Sequence, residues 1–250
     1  MAVTSADIVL YASANMPQND SKTSGGSINS GVRVTFTDPS SAAQIIVFSS
    51  SASDTSQVLA LKGRNAAGAI IVENVSLDGT TNVTSANTFE RILTANLNSV
   101  GVGNITVSGN GVNQIAEIPI GESGFLRPFY DITADASSSK ILYEKIFVKN
   151  NNTSSTLDSA TLSPVAATGL ASQITYGVED GKASPQSVSN RTTAPTGVDI
   201  FGSGATGVYP NGTGVLTPYD YQGVWLKLTV DADASAINSF YEIQVSGTTS

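Results

Sequence analysis

The chain has 250 residues, contains neither cysteine nor histidine, and carries a formal net charge of −8. Without those side chains it cannot form a Ser-His-Asp triad, a Cys-His dyad, a disulfide or a zinc site with His or Cys ligands. The acidic balance also argues against nucleic-acid binding, which normally uses a basic face, and no apolar run approaches the roughly 20 residues of a membrane span. Only 13% of residues are charged, and such a weakly charged polar surface suits packing against copies of the same protein.

Short β-type runs separated by turn residues dominate the N-terminal half. Alternation of apolar and polar residues is typical of a half-buried strand, and a short continuous apolar run is typical of a buried one. The loops at 63–68 and 109–111 are bounded by glycines, so they predict two hairpins. The strands predicted in this half are 7–11, 32–36, 44–49, 57–62, 69–75, 104–108 and 114–118.

The segment 84–97 allows two interpretations. Phe89, Ile92, Leu93 and Leu97 have the spacing of one apolar helical face. Threonine and asparagine residues interrupt that face repeatedly, however. We therefore favour a strand over a helix for this segment.

The amino-acid composition of the chain changes after residue 120. Gly-Glu-Ser-Gly at 121–124 predicts a linker, and a stretch rich in proline and glycine at 163–219 predicts a long, loop-rich insertion. Three further strands are predicted at 140–149, 223–230 and 239–245.

Short strands at this spacing are typical of β-sandwiches rather than of α/β units. The sequence therefore predicts an all-β protein. It has two β-sandwich or jelly-roll-like domains, residues 1–122 and 125–250, with the loop-rich insertion at 163–219 in the second domain.

Two strings in the C-terminal half carry a family resemblance. Y-E-K-I-F-V-K-N at 143–150 and G-V-W-L-K-L-T-V at 223–230, the latter followed by alanines at 232, 234 and 236, form strand-and-turn patterns. They resemble patterns in virion proteins of tailed bacteriophages. The resemblance covers about 126–163 and 220–249, and the N-terminal half, including 88–93, is similar to the same proteins in character.

What the resemblance implies is a structural role in the particle, with no catalytic residue to carry over. The predicted function is that of a capsid decoration (cement) protein that stabilises the outer shell. Its partners would be the major capsid protein and copies of itself, in a trimer, on the virion exterior after assembly in the host cytoplasm. We predict no enzymatic activity, no cofactor, no metal, no nucleic acid and no membrane partner.

Two alternatives stay open. The first is a head-fibre or tail protein that binds a receptor or a host glycan through Tyr209, Tyr219 and Tyr221, because aromatic side chains with polar tips are common in sugar sites and interfaces. These tyrosines are equally candidates for a subunit interface or for structural roles. The second alternative is a structural protein of the tail or neck. Trp225 lies between apolar neighbours in a predicted strand, so core packing is predicted for it.

Several motif matches lack the context that their chemistry needs. The glycine pattern at 202–207 fits G-x-G-x-x-G, but proline and glycine follow where a dinucleotide site needs a helix. Ser137 and Lys140 fit S-x-x-K, but Lys140 opens a strand and the partner motifs are missing. Both are interpreted as ordinary loop and strand residues.

Acidic residues offer two further hypotheses. Carboxylates that could bind calcium occur in turns, but no D-x-D-x-D-G loop is present; they are Asp131, Asp135, Asp231 and Asp233. A glycosidase or lyase would need two carboxylates facing one groove. The acidic residues considered for that role are Glu90, Asp131, Glu144 and Glu179.

Overall fold

The computed structural model describes residues 2–110, 113–130, 132, 134–167, 174–202, 212–234 and 241–250. Strands account for 55% of these described residues and helix for 2%, which confirms the predicted all-β, sandwich-like fold. None of the helical structure in these ranges is long and apolar enough to cross a membrane. The elements are a 3₁₀ helix at Ser5–Asp7 and strands β1 Ile8–Asn15, β2 Ser24–Arg33, β3 Ala43–Ser49, β4 Val58–Arg64, β5 Ile70–Ser76, β6 Val83–Phe89, β7 Arg91–Leu97, β8 Ile105–Gly109, β9 Asn113–Ile118, β10 Gly124–Leu126, β11 Lys140–Asn150, β12 Leu157–Ala167, β13 Ile174–Lys182, β14 Ser187–Val188, β15 Val198–Gly202, β16 Tyr221–Val230 and β17 Tyr241–Thr249.

The chain forms two compact units, which we call the middle unit (30–128) and the terminal unit (1–29 with 129–250). The middle unit is a sandwich. One of its sheets has the strand order β10-β7-β4-β5 and the other has the order β6-β3-β8-β9. Alternate residues of each sheet point inward, so Ile45 and Val47 of β3 meet Leu59 and Leu61 of β4 in one apolar core.

Several predicted elements of the middle unit are confirmed. The hairpin β4–β5 closes on a turn in which Gly68 has a φ of 78°, a conformation that glycine adopts without strain. The second predicted hairpin is β8–β9. Segment 84–97 forms strands β6 and β7 and no helix. The predicted strand 32–36 is displaced, since β2 spans Ser24–Arg33 and includes only residues 32 and 33 of the predicted range.

The terminal unit is built around one antiparallel run with the order β15-β13-β16-β11-β1. β11 and β16 pair over ten residues, from Lys140 opposite Val230 to Lys149 opposite Tyr221. Residues 142–148 of β11 are all buried, as expected for a strand covered on both faces. β14 pairs with the start of β2, and β12 pairs with β17 in a separate two-stranded sheet.

The division of the chain differs from the predicted one. Residues 1–29 belong to the terminal unit and not to an N-terminal domain 1–122, because β1 pairs with β11 from Ile8 opposite Asn150 onward. A strand partner about 140 residues away leaves no trace in local composition. The predicted linker at 121–124 is also wrong: Gly124 begins β10, which is hydrogen-bonded to β7 inside the middle unit.

The stretch 163–219, predicted to be a loop-rich insertion with short strands, contributes a strand to the main sheet of the terminal unit. It contains β13, an integral strand of the sheet that pairs with β16. Tyr176 and Val178 of β13 are buried in the terminal unit. Prolines and glycines are frequent around β13 because turns separate the short strands of this region. Their frequency made β13 hard to recognise in the sequence.

Candidate functional site

The three tyrosines proposed as contact residues have different environments. Tyr209 lies outside the described residues. Tyr219 is 54% exposed. It occupies a turn with a φ of 65°, and its backbone N–H donates to the carbonyl of Asn150. Tyr221 is half-buried at the start of β16, where its ring packs edge-on against Phe147. Tyr219 is thus the tyrosine of this pair that offers its ring to a partner.

The candidate calcium ligands do not form a site in the described part of the chain. The carboxylate of Asp135 accepts hydrogen bonds from the backbone amides of Ser137 and Ser138 and from the Ser137 hydroxyl. The backbone amide of Asp233 donates to the Asp135 carbonyl. Among the described residues, no three acidic side chains converge on one point. Asp131 and most of the glycine pattern 202–207 fall outside those residues.

Ser137 and Lys140 do not form a catalytic pair. The ammonium group of Lys140 lies 2.6 Å from a carboxylate oxygen of Asp20, so it is engaged in an ion pair. The hydroxyl of Ser137 donates to Asp135.

Glu144 and Glu179, two of the carboxylates considered for a hydrolase, are both buried in the terminal unit. Glu179 contacts Lys145, the residue next to Glu144 on β11. Successive strand residues point to opposite faces, so Glu144 and Glu179 lie on opposite faces of the sheet. These two carboxylates therefore do not face one groove.

Glu144 belongs to a buried ionic network. One of its oxygens accepts a hydrogen bond from Arg191 at 3.1 Å, and the other accepts the backbone amide of Phe129 at 2.8 Å. Arg191, only 1% exposed, also binds Asp20 at 2.6 Å. Burial raises the pKa of Glu144 to about 7, although the Phe129 amide and Arg191 act in the opposite direction. The network pins the strand 140–150 to the segments around residues 20 and 191.

We expect the stability of the terminal unit to fall as pH rises from 4.5 to 7. Glu144 has a pKa of about 7 in the folded protein against the ordinary 4.5, so the folded state retains a proton that the unfolded chain has already released. The loss amounts to about 3 kcal/mol and is complete above pH 7. Urea unfolding at a series of pH values, followed through the fluorescence of the single tryptophan, measures it.

The variant Glu144→Gln should remove this pH dependence, because it removes the titrating group. Glu242→Gln is the matched control, since Glu242 is exposed in the same unit. An unchanged slope in Glu144→Gln would contradict the assignment.

The opposite face of β11 carries a second buried pair. The ammonium of Lys145 lies 2.8 Å from Glu179, and the exposed fractions of the two side chains are 0% and 2%. Trp225, on the intervening strand β16, donates its indole N–H to the same Glu179 oxygen. Trp225 is fully buried, as predicted.

The middle unit presents an ordered apolar surface at one end, which we call the apolar tip: Val100, Val102 and Ile120. These side chains are 51%, 61% and 63% exposed. β8 and β9 pair from Ile105 opposite Ile118, which brings the segments preceding and following that pair side by side. The backbone amide of Ile120 donates to the side chain of Asn104, which ties the two segments together.

A buried carboxylate holds this tip in shape. Asp54 is 0% exposed. It accepts the backbone amides of Val102 and Gly103 at 2.7 and 2.9 Å and the hydroxyl of Ser49 at 2.5 Å. Burial acts to raise the pKa of Asp54, but these hydrogen bonds outweigh it and lower the pKa. The exposed valines are therefore displayed on a fixed backbone.

We expect Asp54→Ala to destabilise the middle unit by about 3 kcal/mol, because it leaves buried donors without an acceptor. Amide hydrogen exchange at residues 102 and 103 should accelerate more than exchange at the centre of β3. Asp78→Ala, at an exposed position of the nearby turn, is the control and should change neither quantity. Equal exchange rates in the two variants would contradict the role of Asp54.

The edge strand β5 is a second exposed apolar feature of the middle unit. Ile70 and Val72 are 42% and 65% exposed. In the described part of the chain, β5 pairs only with β4, in a regular register over all seven residues. The Leu77 amide donates to the carbonyl of Gln57. Because backbone groups in an antiparallel pair point alternately toward and away from the partner strand, those of Ile70, Val72 and Asn74 point away from β4.

Most edge strands are protected by charges, prolines or bulges. β5 has one charged residue, Glu73, and its carboxylate is turned away to accept the backbone amides of Ala86 and Asn87. The outward row of β5 is therefore uncharged and open to a further strand.

Four features are not predicted by the sequence: the two buried ionic groups, the apolar tip and the open edge of strand β5. Glu144 and Lys145 could have been noticed, because two adjacent charges interrupt an otherwise apolar strand. The tip residues stand in two short glycine-containing loops with no distinguishing pattern.

Comparisons with known proteins return no relative: no protein-family model, no curated protein and no solved structure matches the chain.

Proposed function

We propose that this chain is a non-enzymatic structural component of a tailed-bacteriophage particle, a capsid decoration protein that binds the outer shell. The observation that carries the proposal is the apolar tip, in which Val100, Val102 and Ile120 are exposed on backbone segments held by Asp54 and Asn104. Ordered apolar side chains that face solvent are a usual feature of protein docking surfaces. The resemblance of strands 143–150 and 223–230 to phage virion proteins supports the choice of particle.

In this proposal, the apolar tip and the edge strand β5 of the middle unit bind different partners. The apolar tip docks on the major capsid protein, where burial of its three side chains provides the driving force. The open edge of β5 serves contacts between copies, since an unprotected strand edge accepts a second strand. Many copies on one shell make weak individual contacts sufficient through avidity.

Binding to empty shells of the phage, assembled without this chain, tests the proposal. The wild-type protein should co-sediment with the shells at a copy number close to that of the major capsid protein. The triple variant Val100→Ser, Val102→Ser, Ile120→Ser should remain folded by circular dichroism and lose at least tenfold in affinity. Tyr219→Ala, which removes an equally exposed ring from the terminal unit, should bind normally. Failure of the wild-type protein to bind shells would overturn the proposal.

A second candidate function is glycan recognition by a head-fibre or tail protein. The exposure of Tyr219 at a fixed turn favours it, because a rigid aromatic face suits a sugar ring. In that case Tyr219→Ala would abolish binding to host polysaccharide and the tip variant would not. A glycan array without a hit for the wild-type protein would dismiss this candidate.

A further inference from the structure

Lys145 and Glu179 form an unusually isolated pair of reactive side chains. The Lys145 nitrogen lies 2.8 Å from a Glu179 oxygen, and both side chains are almost completely buried. The surroundings are aromatic, since the Lys145 nitrogen lies 4.6 Å from the centre of the Phe147 ring and 5.8 Å from that of Trp225. An amine and a carboxyl group are thus held in contact away from bulk water.

The polar atoms of this pair are incompletely satisfied. Glu179 Oε1 accepts the Trp225 indole N–H at 2.9 Å, and the Lys145 nitrogen donates to the carbonyl of Ser184 at 2.7 Å. Glu179 Oε2, in contrast, is buried without a hydrogen-bond partner among the described residues. The backbone of Gly223 packs so closely against Oε2 that a Cβ at that position would overlap it. A buried carboxylate oxygen without a donor is costly and rare in folded proteins.

We propose that Lys145 and Glu179 join in an intramolecular isopeptide bond, an amide between Lys145 Nζ and Glu179 Cδ. The orphan oxygen Oε2 leaves as water. The carbonyl oxygen Oε1 keeps its hydrogen bond from Trp225, and the single remaining N–H keeps its bond to Ser184. In the amide product, every polar atom therefore has a hydrogen-bond partner. In the ion pair, Glu179 Oε2 lacks one among the described residues.

The reaction needs no external reagent. A proton passes from the Lys145 ammonium group to the Glu179 carboxylate, which gives a neutral amine and a carboxylic acid. The nitrogen lone pair then forms a bond to Cδ, and the negative charge that develops on Oε1 faces the Trp225 N–H, as in an oxyanion hole. The bond between Cδ and Oε2 breaks, and Oε2 leaves as water with a proton from the nitrogen. Nothing is oxidised or reduced.

The environment favours the neutral form of Lys145 and the neutral product. Burial lowers the pKa of Lys145, although Glu179 counteracts this effect. Desolvated charges are unfavourable even when paired, and formation of the amide removes both of them. A desolvated amine is also a better nucleophile than an ammonium group.

The proposed bond would act as a clamp across three strands. β16 separates β11, which carries Lys145, from β13, which carries Glu179. The amide would join the two outer strands over the backbone of Gly223, where the lack of a side chain leaves room for it. Such a clamp would hold the sheet together in denaturant and under mechanical load, independently of where the protein docks.

Intact mass spectrometry of the unfolded wild-type protein tests the proposal. Most chains should be lighter than the sequence mass by one water, and peptide mapping should recover one branched peptide that joins residues 145 and 179. Lys145→Arg should have its full sequence mass. Lys182→Arg should keep the water loss, although Lys182 forms an exposed ion pair of similar length with Asp220.

Two results would overturn the proposal. One is a wild-type protein of full sequence mass. The other is a water loss that maps elsewhere, for example to a succinimide at Asp78-Gly79. Because the wild-type measurement is decisive by itself, a variant that fails to fold does not affect the outcome.

Discussion

Replacement of Arg191 by methionine should destabilise the terminal unit by about 3–5 kcal/mol, because it leaves the carboxylate of Glu144 buried without its cation. Arg191 is 1% exposed and holds Glu144 at 3.1 Å and Asp20 at 2.6 Å. Its methylene groups also pack in the interior, and methionine preserves most of that volume. The loss therefore reports mainly on charge and hydrogen bonding.

The size of this loss should depend on pH. Arg191 lowers the pKa of Glu144, which burial has already raised to about 7. Without Arg191 the pKa rises further, so the variant keeps Glu144 protonated over a wider range. We expect a smaller loss at pH 5, where the carboxyl is neutral in both proteins, than at pH 8. Urea unfolding monitored by Trp225 fluorescence gives both values.

Two variants control this experiment. Lys182→Met breaks a partly exposed ion pair with Asp220 and should cost less than about 1 kcal/mol. The double variant Arg191→Met, Glu144→Leu removes the unpaired charge and should recover much of the stability lost in the single variant. If the double variant were less stable than Arg191→Met at pH 8, an unpaired Glu144 would not be the source of the loss.

The sequence predicted strands well and their partners poorly. β11 was identified because apolar residues crowd 140–149, and the hairpins β4–β5 and β8–β9 were identified because glycines bound their loops. Local patterns determine both features. The pairing of β1 with β11 depends on contacts between distant segments, so the first 29 residues were assigned to the wrong unit.

The same limit applies to the buried ionic groups. Glu144 and Lys145 interrupt an apolar strand, which signals a need for buried partners without naming them. Those partners, Arg191 and Glu179, lie in the region predicted to be a loop-rich insertion. The structure supplies them because β13 lies beside β16 and because residue 191 follows the short strand β14.

The apolar tip illustrates a different limit. Val100 and Val102 stand in a loop whose composition resembles that of the other turns. The conformation of this loop depends on two hydrogen bonds, from the amides of Val102 and Gly103 to Asp54, a residue about 50 positions away. Tertiary hydrogen bonds of this kind leave no periodic pattern.

Gly223→Ala should strongly destabilise the terminal unit. A Cβ at position 223 would lie 2.7 Å from Lys145 Cε and would overlap the carboxyl group of Glu179. Neither side chain can move into solvent, because both are almost completely buried. Overpacking of this kind costs about 3 kcal/mol, and displacement of the pair adds to the loss. The midpoint of urea unfolding, followed through Trp225, measures the effect.

The adjacent strand offers the matched control. Gly181 of β13 has nothing within 4 Å of its Cβ position, so Gly181→Ala should change the stability by less than about 0.5 kcal/mol. Equal stabilities of the two variants would show that the space above Gly223 is not tightly filled. Gly223→Ala should be less stable than Gly181→Ala in either state, because an amide removes Glu179 Oε2 but keeps Lys145 Cε and Glu179 Cδ beside Gly223. The stability of Gly223→Ala therefore tests the packing of the pair, and the intact mass of the wild-type protein tests its chemistry.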